Sequence, residues 1–305
     1  MRARVRVALA AVLSVVSFAC GGGPRPITPA GTVPPPSSGL RLCVGGDSRD
    51  DHAHVLPWAF QEARARGASA FLFLGDMELT PGLDGHFEKN LALLDPVPFY
   101  PVLGNHEVKT FGFLSIGTAH SEKKFRKRFL DNARTPVKSS FADRVVYSVD
   151  LPGRVHFVAL DNVSQKGFGP EQLAWLAADL DAADASAEHV IVGMHKPLAR
   201  NPVSKHGMES DGPQAIADSD AALELFRRHK VELLLQSHVH QFARYMVGNI
   251  QAYVTGGLGA PLDHVGPERA FHHFLQVDLD GGGLHVEVVR FPGAAVEAKE
   301  EEKDD

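Results

Sequence analysis

Five apolar runs in this chain break off, in chain order, at a carboxylate, an amide or an imidazole. VGGDSR ends its run at Asp47, FLFLGD at Asp76, YPVLGNHE at Asn105 and His106, IVGMHKP at His195, and LLLQSHVH at His238 and His240. One Asp behind a strand caps a helix more often than it binds anything, and one buried His is usually just hydrogen-bonded. Five strand ends carrying metal-capable side chains are a different matter, because ligands of open α/β sheets sit beyond the carboxyl ends of the strands. Gly75 and Gly104, directly before Asp76 and Asn105, allow the backbone to turn tightly where those side chains project.

The segments between these points alternate in period. Strands are predicted over 40–46, 70–74 and 97–103, with helices over His54–Arg66, closed by Gly67, and over His86–Leu94. Ala70–Leu74 (AFLFL) is a continuous apolar run, typical of a parallel strand covered on both faces. This βαβαβ order argues for an α/β domain. Further strands are expected at 145–149, 155–160, 189–193 and 231–235, with helices at 170–182 and 219–228. A β-rich end follows at 243–247, 251–255, 274–278 and 284–290. Two sheets inside helical layers accommodate this order better than one open sheet.

The donor set is oxygen and imidazole with no thiolate, which suits Mn, Fe or Zn rather than calcium or an iron–sulfur cluster. Six ligands exceed what one tetrahedral zinc takes. Two metal ions sharing one bridging carboxylate use them economically, as in centres for in-line displacement at phosphorus. Lys and Arg number 31 against 37 Asp and Glu, a formal charge of −6. With no long basic block, nucleic acid is not expected as a partner.

As an ordered set over residues 46–240, GD, GDM, GNHE, GMH and SHVH resemble the motifs of the calcineurin-like metallophosphoesterase superfamily, and YVTGGLG (253–259) is similar to its purple acid phosphatase-like branch. The resemblance implies a four-layer α/β fold, two mixed sheets packed face to face and flanked by helices. It implies a phosphate-ester substrate and two metal ions (Mn, Fe or Zn), with a bridging hydroxide attacking phosphorus. Asp76 would bridge the ions, Asn105, His195 and His238 would complete one site, and Asp47 and His240 would belong to the other. His106 would protonate the leaving oxygen or stabilise charge on the phosphoryl group.

Three positions depart from the family pattern. Arg49 stands where Asp-x-His would put a metal-binding His, and Leu79 where purple acid phosphatases have a Tyr. Arg cannot ligate a cation, so Arg49 is expected either to grip a phosphate oxygen or to lie on the surface beside Asp50 or Asp51. His54, or His52, would then supply the missing ligand; otherwise the first metal is weak. Ser237 replaces a usual Gly, a change to which the sequence attaches no weight. A monoesterase is favoured, on Arg49 as an extra clamp and on the 253–259 segment. A phosphodiesterase or nucleotidase, and a non-catalytic metal-binding surface lipoprotein, are the alternatives.

The ends read differently. Arg2, Arg4 and Arg6 precede an uncharged stretch, Val7–Ala19, too short for a ~30 Å hydrocarbon core. With Ala19-Cys20 and three Gly after it, residues 1–20 resemble a lipoprotein signal, though Ser17 stands where Leu is usual. The expectation is export and anchorage to the membrane through a lipid on Cys20, with plain secretion as the alternative. A disulfide between Cys20 and Cys43 is the remaining reading of the two cysteines. Residues 21–38 read as a Pro/Gly-rich tether, 39–293 as the metallophosphoesterase domain and 294–305 as an acidic disordered tail. His206, in the loop Leu198–Gly212, is either a substrate contact or solvated. Lys123–Arg128 is a solvated helix face or an anion-attracting patch. No role is predicted for His264, His272 or His273.

Overall fold

A computed structural model describes residues 39–77, 84–108, 118–131, 137–141 and 144–293. The expected signal segment, tether, acidic tail and Leu79 lie outside the described residues. The first half builds β1 (Leu40–Gly45), α1 (Val55–Ala65), β2 (Ala70–Phe73), α2 (Asp84–Leu91) and β3 (Phe99–Pro101). Next come a single turn α3 (Asn105–Val108), α4 (Thr118–Phe129), β4 (Ser139–Ser140), β5 (Tyr147–Leu151) and β6 (Val155–Ala159). The chain continues through α5 (Gly169–Ala183), β7 (His189–Gly193), α6 (Pro213–Arg228) and β8 (Leu233–Gln236). It closes with β9 (Phe242–Val247), β10 (Ile250–Thr255), β11 (His273–Asp280) and β12 (Gly283–Arg290).

The strands form two mixed sheets, ordered β12-β11-β1-β2-β3 and β4-β5-β6-β7-β8-β10-β9. β1, β2 and β3 are parallel, and so are β6, β7, β8 and β10. Period-two alternation divides the second sheet between two cores. Phe157, Ile191, Leu233 and Leu235 face inward and join Leu42, Val44 and Leu72 of the first sheet in one cluster. Their neighbours Val158, Val192 and Leu234 face outward onto Leu176 and Leu180 of α5 and Phe226 of α6. The other face of the first sheet is covered by α1, through Val55, Ala59, Phe60 and Ala63. Helix, sheet, sheet, helix is therefore the layer order. Each fully buried Leu, Ile, Val or Phe contributes about 1.5–3 kcal/mol from burial.

Every run expected as a strand is one, with ends displaced by a few residues. The largest difference is α6, which starts at Pro213 rather than Ser219. Pro213 suits a first helical turn, and the preceding Gly212 takes φ 104°, so the start is set by backbone geometry rather than by apolar spacing. Asp51, not Asp47, serves the start of α1: its Oδ2 accepts N–H bonds from Val55 (2.6 Å) and Leu56 (2.9 Å). Cys43 is fully buried in β1, and burial pushes its thiol up. Cys20 lies outside the described residues.

Candidate metal centre

The parallel strands of both sheets end on the same side, and the loops that leave them are tied together by backbone bonds. Asp47 N–H donates to Gly75 O (3.0 Å), Arg49 N–H to Asp76 O (3.0 Å) and Ser237 N–H to His195 O (2.8 Å). The turns are tight. Asp47, Arg49, Asp76 and His238 all take positive φ, between 50° and 68°, at about 1–3 kcal/mol each. Gly104 allows the closest approach, since a Cβ there would lie 2.2 Å from Asp76 N and 2.3 Å from Asp76 Oδ1.

Two groups of three donors result. Asp76, His195 and His238 form one, and Asp47, Asp76 and His240 the other, with the ligand atoms in each within 4.8 Å of one another. Asp76 belongs to both. Asn105 joins the first group, its Oδ1 2.9 Å from His195 Nε2.

The donor chemistry shows that a cation fits. His195 Nδ1 faces Leu74 O at 2.7 Å and donates to it, which leaves Nε2 as the free lone pair of the neutral ring. Around that nitrogen stand Asn105 Oδ1 at 2.9 Å, His238 Nδ1 at 3.1 Å and Asp76 Oδ1 at 3.4 Å. The two oxygens can only accept, so a positive charge between them and Nε2 satisfies several lone pairs at once. Without metal that charge is a proton: burial opposes it, but Asp76 and Asp47 raise His195 to about 9. Burial and the charge on His195 hold His238 down to about 3. The second group repeats the pattern. His240 Nδ1 lies 2.8 Å from Pro261 O, and Nε2 lies 3.4 Å from Asp47 Oδ1. That oxygen is buried and accepts no hydrogen bond among the described residues. Burial works against ionisation of Asp76, yet His195, His106 and Arg49 hold its carboxyl well below the usual range.

His106 and Arg49 flank the shared carboxylate. His106 N–H donates to Asp76 Oδ1 at 2.9 Å, and its ring Nε2 lies 4.0 Å from Asp76 Oδ2. Arg49 Nη1 lies 3.9 Å from the same Oδ2. Of the two surface partners expected for Arg49, Asp50 and Asp51, Asp51 has both oxygens engaged at the start of α1. His54 is not brought to either group: its side chain is 53% exposed and its Nδ1 lies 3.1 Å from Asp51 Oδ1. His52 stacks on His86, ring centroids 5.0 Å apart. His206 and His264 are exposed. His272 and His273 are buried braces of the segment after β10, bonded to Gly257 O (3.1 Å) and Thr255 Oγ1 (3.1 Å) respectively. Of the basic run, Lys123, Lys124 and Lys127 are exposed, while Arg128 pairs with Glu88 at 2.7 Å.

Sequence reading gave no role to Glu107. Its carboxylate accepts N–H bonds from Asp76 (2.9 Å), Gly104 (2.8 Å) and Met77 (2.7 Å), splinting the loops that carry Asp76 and Asn105. Enclosure and the nearby Asp76 charge raise it to about 7. The one available signal was its place directly after the Asn-His pair. Glu107→Gln turns one acceptor into a donor facing an N–H. Thermal unfolding of the metal-free chain should show a loss of ~1–3 kcal/mol, and chelator competition ~10–100-fold weaker metal binding. Unchanged values in both would remove this role.

Comparison with known proteins agrees with this geometry. The family model described as calcineurin-like phosphoesterase matches residues 40–242. Among solved structures, the chain is similar to a purple acid phosphatase from yellow lupin (17% identity, TM-score 0.62), covering 87% of this chain and 54% of that one. It thus spans about half the length of that enzyme. A dimetal phosphatase from Danio rerio matches at 16% identity and TM-score 0.57, covering 83% of this chain and 99% of that one. GAP50, the anchor in the inner membrane complex of Plasmodium, matches at 16% identity and TM-score 0.58, covering 84% and 85%. These likenesses establish the fold. With the matched model running from β1 to the start of β9 and through every strand end that carries a candidate ligand, the chain belongs to the calcineurin-like phosphoesterase family.

Proposed function

We propose that this chain hydrolyses phosphate monoesters at a two-metal centre in which Asp76 is the shared ligand. The observation that carries the reading is the membership of Asp76 in both donor groups. Asn105, His195 and His238 hold one ion with it, and Asp47 and His240 the other. Oxygen and imidazole donors select Mn, Fe or Zn. When bound, such a pair of ions polarises the phosphoryl oxygens and activates water at neutral pH. His106 delivers a proton to the leaving oxygen, and Arg49 binds a phosphate oxygen through its planar fork. The two sites are unequal: one has four side-chain donors, and the other has three with the Arg49 guanidinium beside it. The second ion is therefore the more weakly held. The N-terminal reading belongs to the same proposal: a lipid on Cys20 and the 21–38 tether hold the enzyme at a membrane surface, outside the cytoplasm.

Metal analysis of the full chain after loading with Mn, Fe or Zn tests the centre, and two ions per chain are expected. Steady-state kinetics on an aryl monoester and the matching diester test the preference. Arg49→Ala should raise KM for the monoester ~10–100-fold, the size of a charge-assisted hydrogen bond of ~1.5–3 kcal/mol, and the diester KM by less. A monoester KM that stays put would take Arg49 out of substrate binding.

A further inference from the structure

The environment of Asp47 is set by a residue to which the sequence attached no weight. Asp47 Oδ2 accepts a hydrogen bond from the Ser237 hydroxyl and a second from His238 N–H at 2.9 Å. Ser237 is fully buried, and its hydroxyl also lies 3.4 Å from Thr255 O. The space beyond Oδ2 is closed by Gly256, where a Cβ would come within 2.9 Å of that oxygen. Gly46 packs just as tightly on the other side, since a Cβ there would fall 2.3 Å from Ser237 Oγ. Both donors and the enclosure thus act on one carboxylate oxygen. Oδ1 is left buried and without a hydrogen bond among the described residues, 3.4 Å from His240 Nε2.

We propose that Ser237 is a positioning residue that makes Asp47 a one-oxygen metal ligand. Its hydroxyl occupies Oδ2 and aims Oδ1 at the ion shared with His240 and Asp76. The inference rests on the two-metal reading above. The physical reason is the short donor list of that site. With only three side-chain donors, a carboxylate free to rotate costs this ion more than it would cost the four-donor ion. The two hydrogen bonds to Oδ2 fix the orientation of the carboxylate, on a backbone held at φ 61°. Gly46 leaves room for the Ser237 hydroxyl, and Gly256 for the Asp47 oxygen to which that hydroxyl donates.

The test uses the full chain, stripped and reloaded with Mn, with ions per chain counted by mass spectrometry across a chelator series. Ser237→Ala and Ser237→Gly should hold the more weakly bound ion ~10–100-fold less tightly, the usual effect of removing a ligand's own hydrogen-bond partner. The four-donor ion should be retained in both, and Ser237→Thr, which keeps a hydroxyl, should recover the weaker ion. Melting of the metal-free variants separates this from a packing defect: a lowered Tm with both affinities intact overturns the assignment. Parallel loss of both ions overturns it too, because Ser237 bonds to a ligand of one site. If wild type takes up two ions and Ser237→Ala holds both as tightly, Ser237 is no positioning residue although the two-metal reading stands. Wild type saturating at one ion overturns the two-metal reading and this inference with it.

Discussion

Replacing Asp76 by Asn is expected to remove both metal ions and to lower kcat/KM by at least ~10³-fold. The change is nearly isosteric, and an amide oxygen can still accept the His106 N–H now bonded to Asp76 Oδ1 at 2.9 Å, so the loop should keep its shape. What disappears is the negative charge on which both donor groups depend. Lewis-acid stabilisation is worth several kcal/mol, and each ~1.4 kcal/mol is tenfold in rate. The fully buried His195 should respond as well. Asp76 is the largest influence that raises its pKa, so the metal-free variant should carry a less basic imidazole there, visible in an NMR pH titration of the His Cε1–H signals. Metal counting by mass spectrometry decides the matter. A variant that retained two ions would show that Asp76 is not the shared ligand.

Replacing His106 by Ala should lower kcat by ~10²–10⁴-fold, the size of a general-acid contribution, with both ions retained. Retention follows from the geometry: His106 touches the shared carboxylate through its backbone N–H, which Ala also supplies, while the ring stands 4.0 Å from Oδ2. Proton donation matters most for a poor leaving group. The deficit should therefore be large for an alkyl phosphate and small for a nitrophenyl phosphate, whose leaving oxygen departs as an anion. An equal deficit for both substrates would assign His106 to charge stabilisation on the phosphoryl group, and loss of an ion would make it a ligand. The Asp76 and His106 variants are thus read by different observables: the first by metal content, the second by leaving-group dependence with metal content constant.

Several site residues were legible in the sequence for one reason. Parallel strands buried on both faces read as unbroken apolar runs, such as Ala70–Leu74, so the polar residue that ends each run stands out. Asp47, Asp76, Asn105, His106, His195, His238 and His240 all stand out this way, and the structure brings them to one place. The residues that escaped do their work through the backbone or through remote partners. Glu107 bonds to N–H groups 30 and 31 positions away, and Ser237 to a carboxylate 190 positions away. Neither changes the hydrophobic pattern, so periodicity carries no trace of them.

The chain's sequence by itself therefore determined the alternation of elements, the two-sheet α/β class and the chemical type of the donors, because these depend on local period and on side-chain identity. Tertiary structure alone decided which donors share Asp76, that Arg49 points at that carboxylate rather than at Asp51, and that His54 is held by Asp51 away from both groups. Those outcomes depend on left-handed backbone at Asp47, Arg49, Asp76 and His238 and on two sheets closing their carboxyl ends over one spot. Such conformations are stable only when distant loops bond to one another, and that condition exists only in the folded chain.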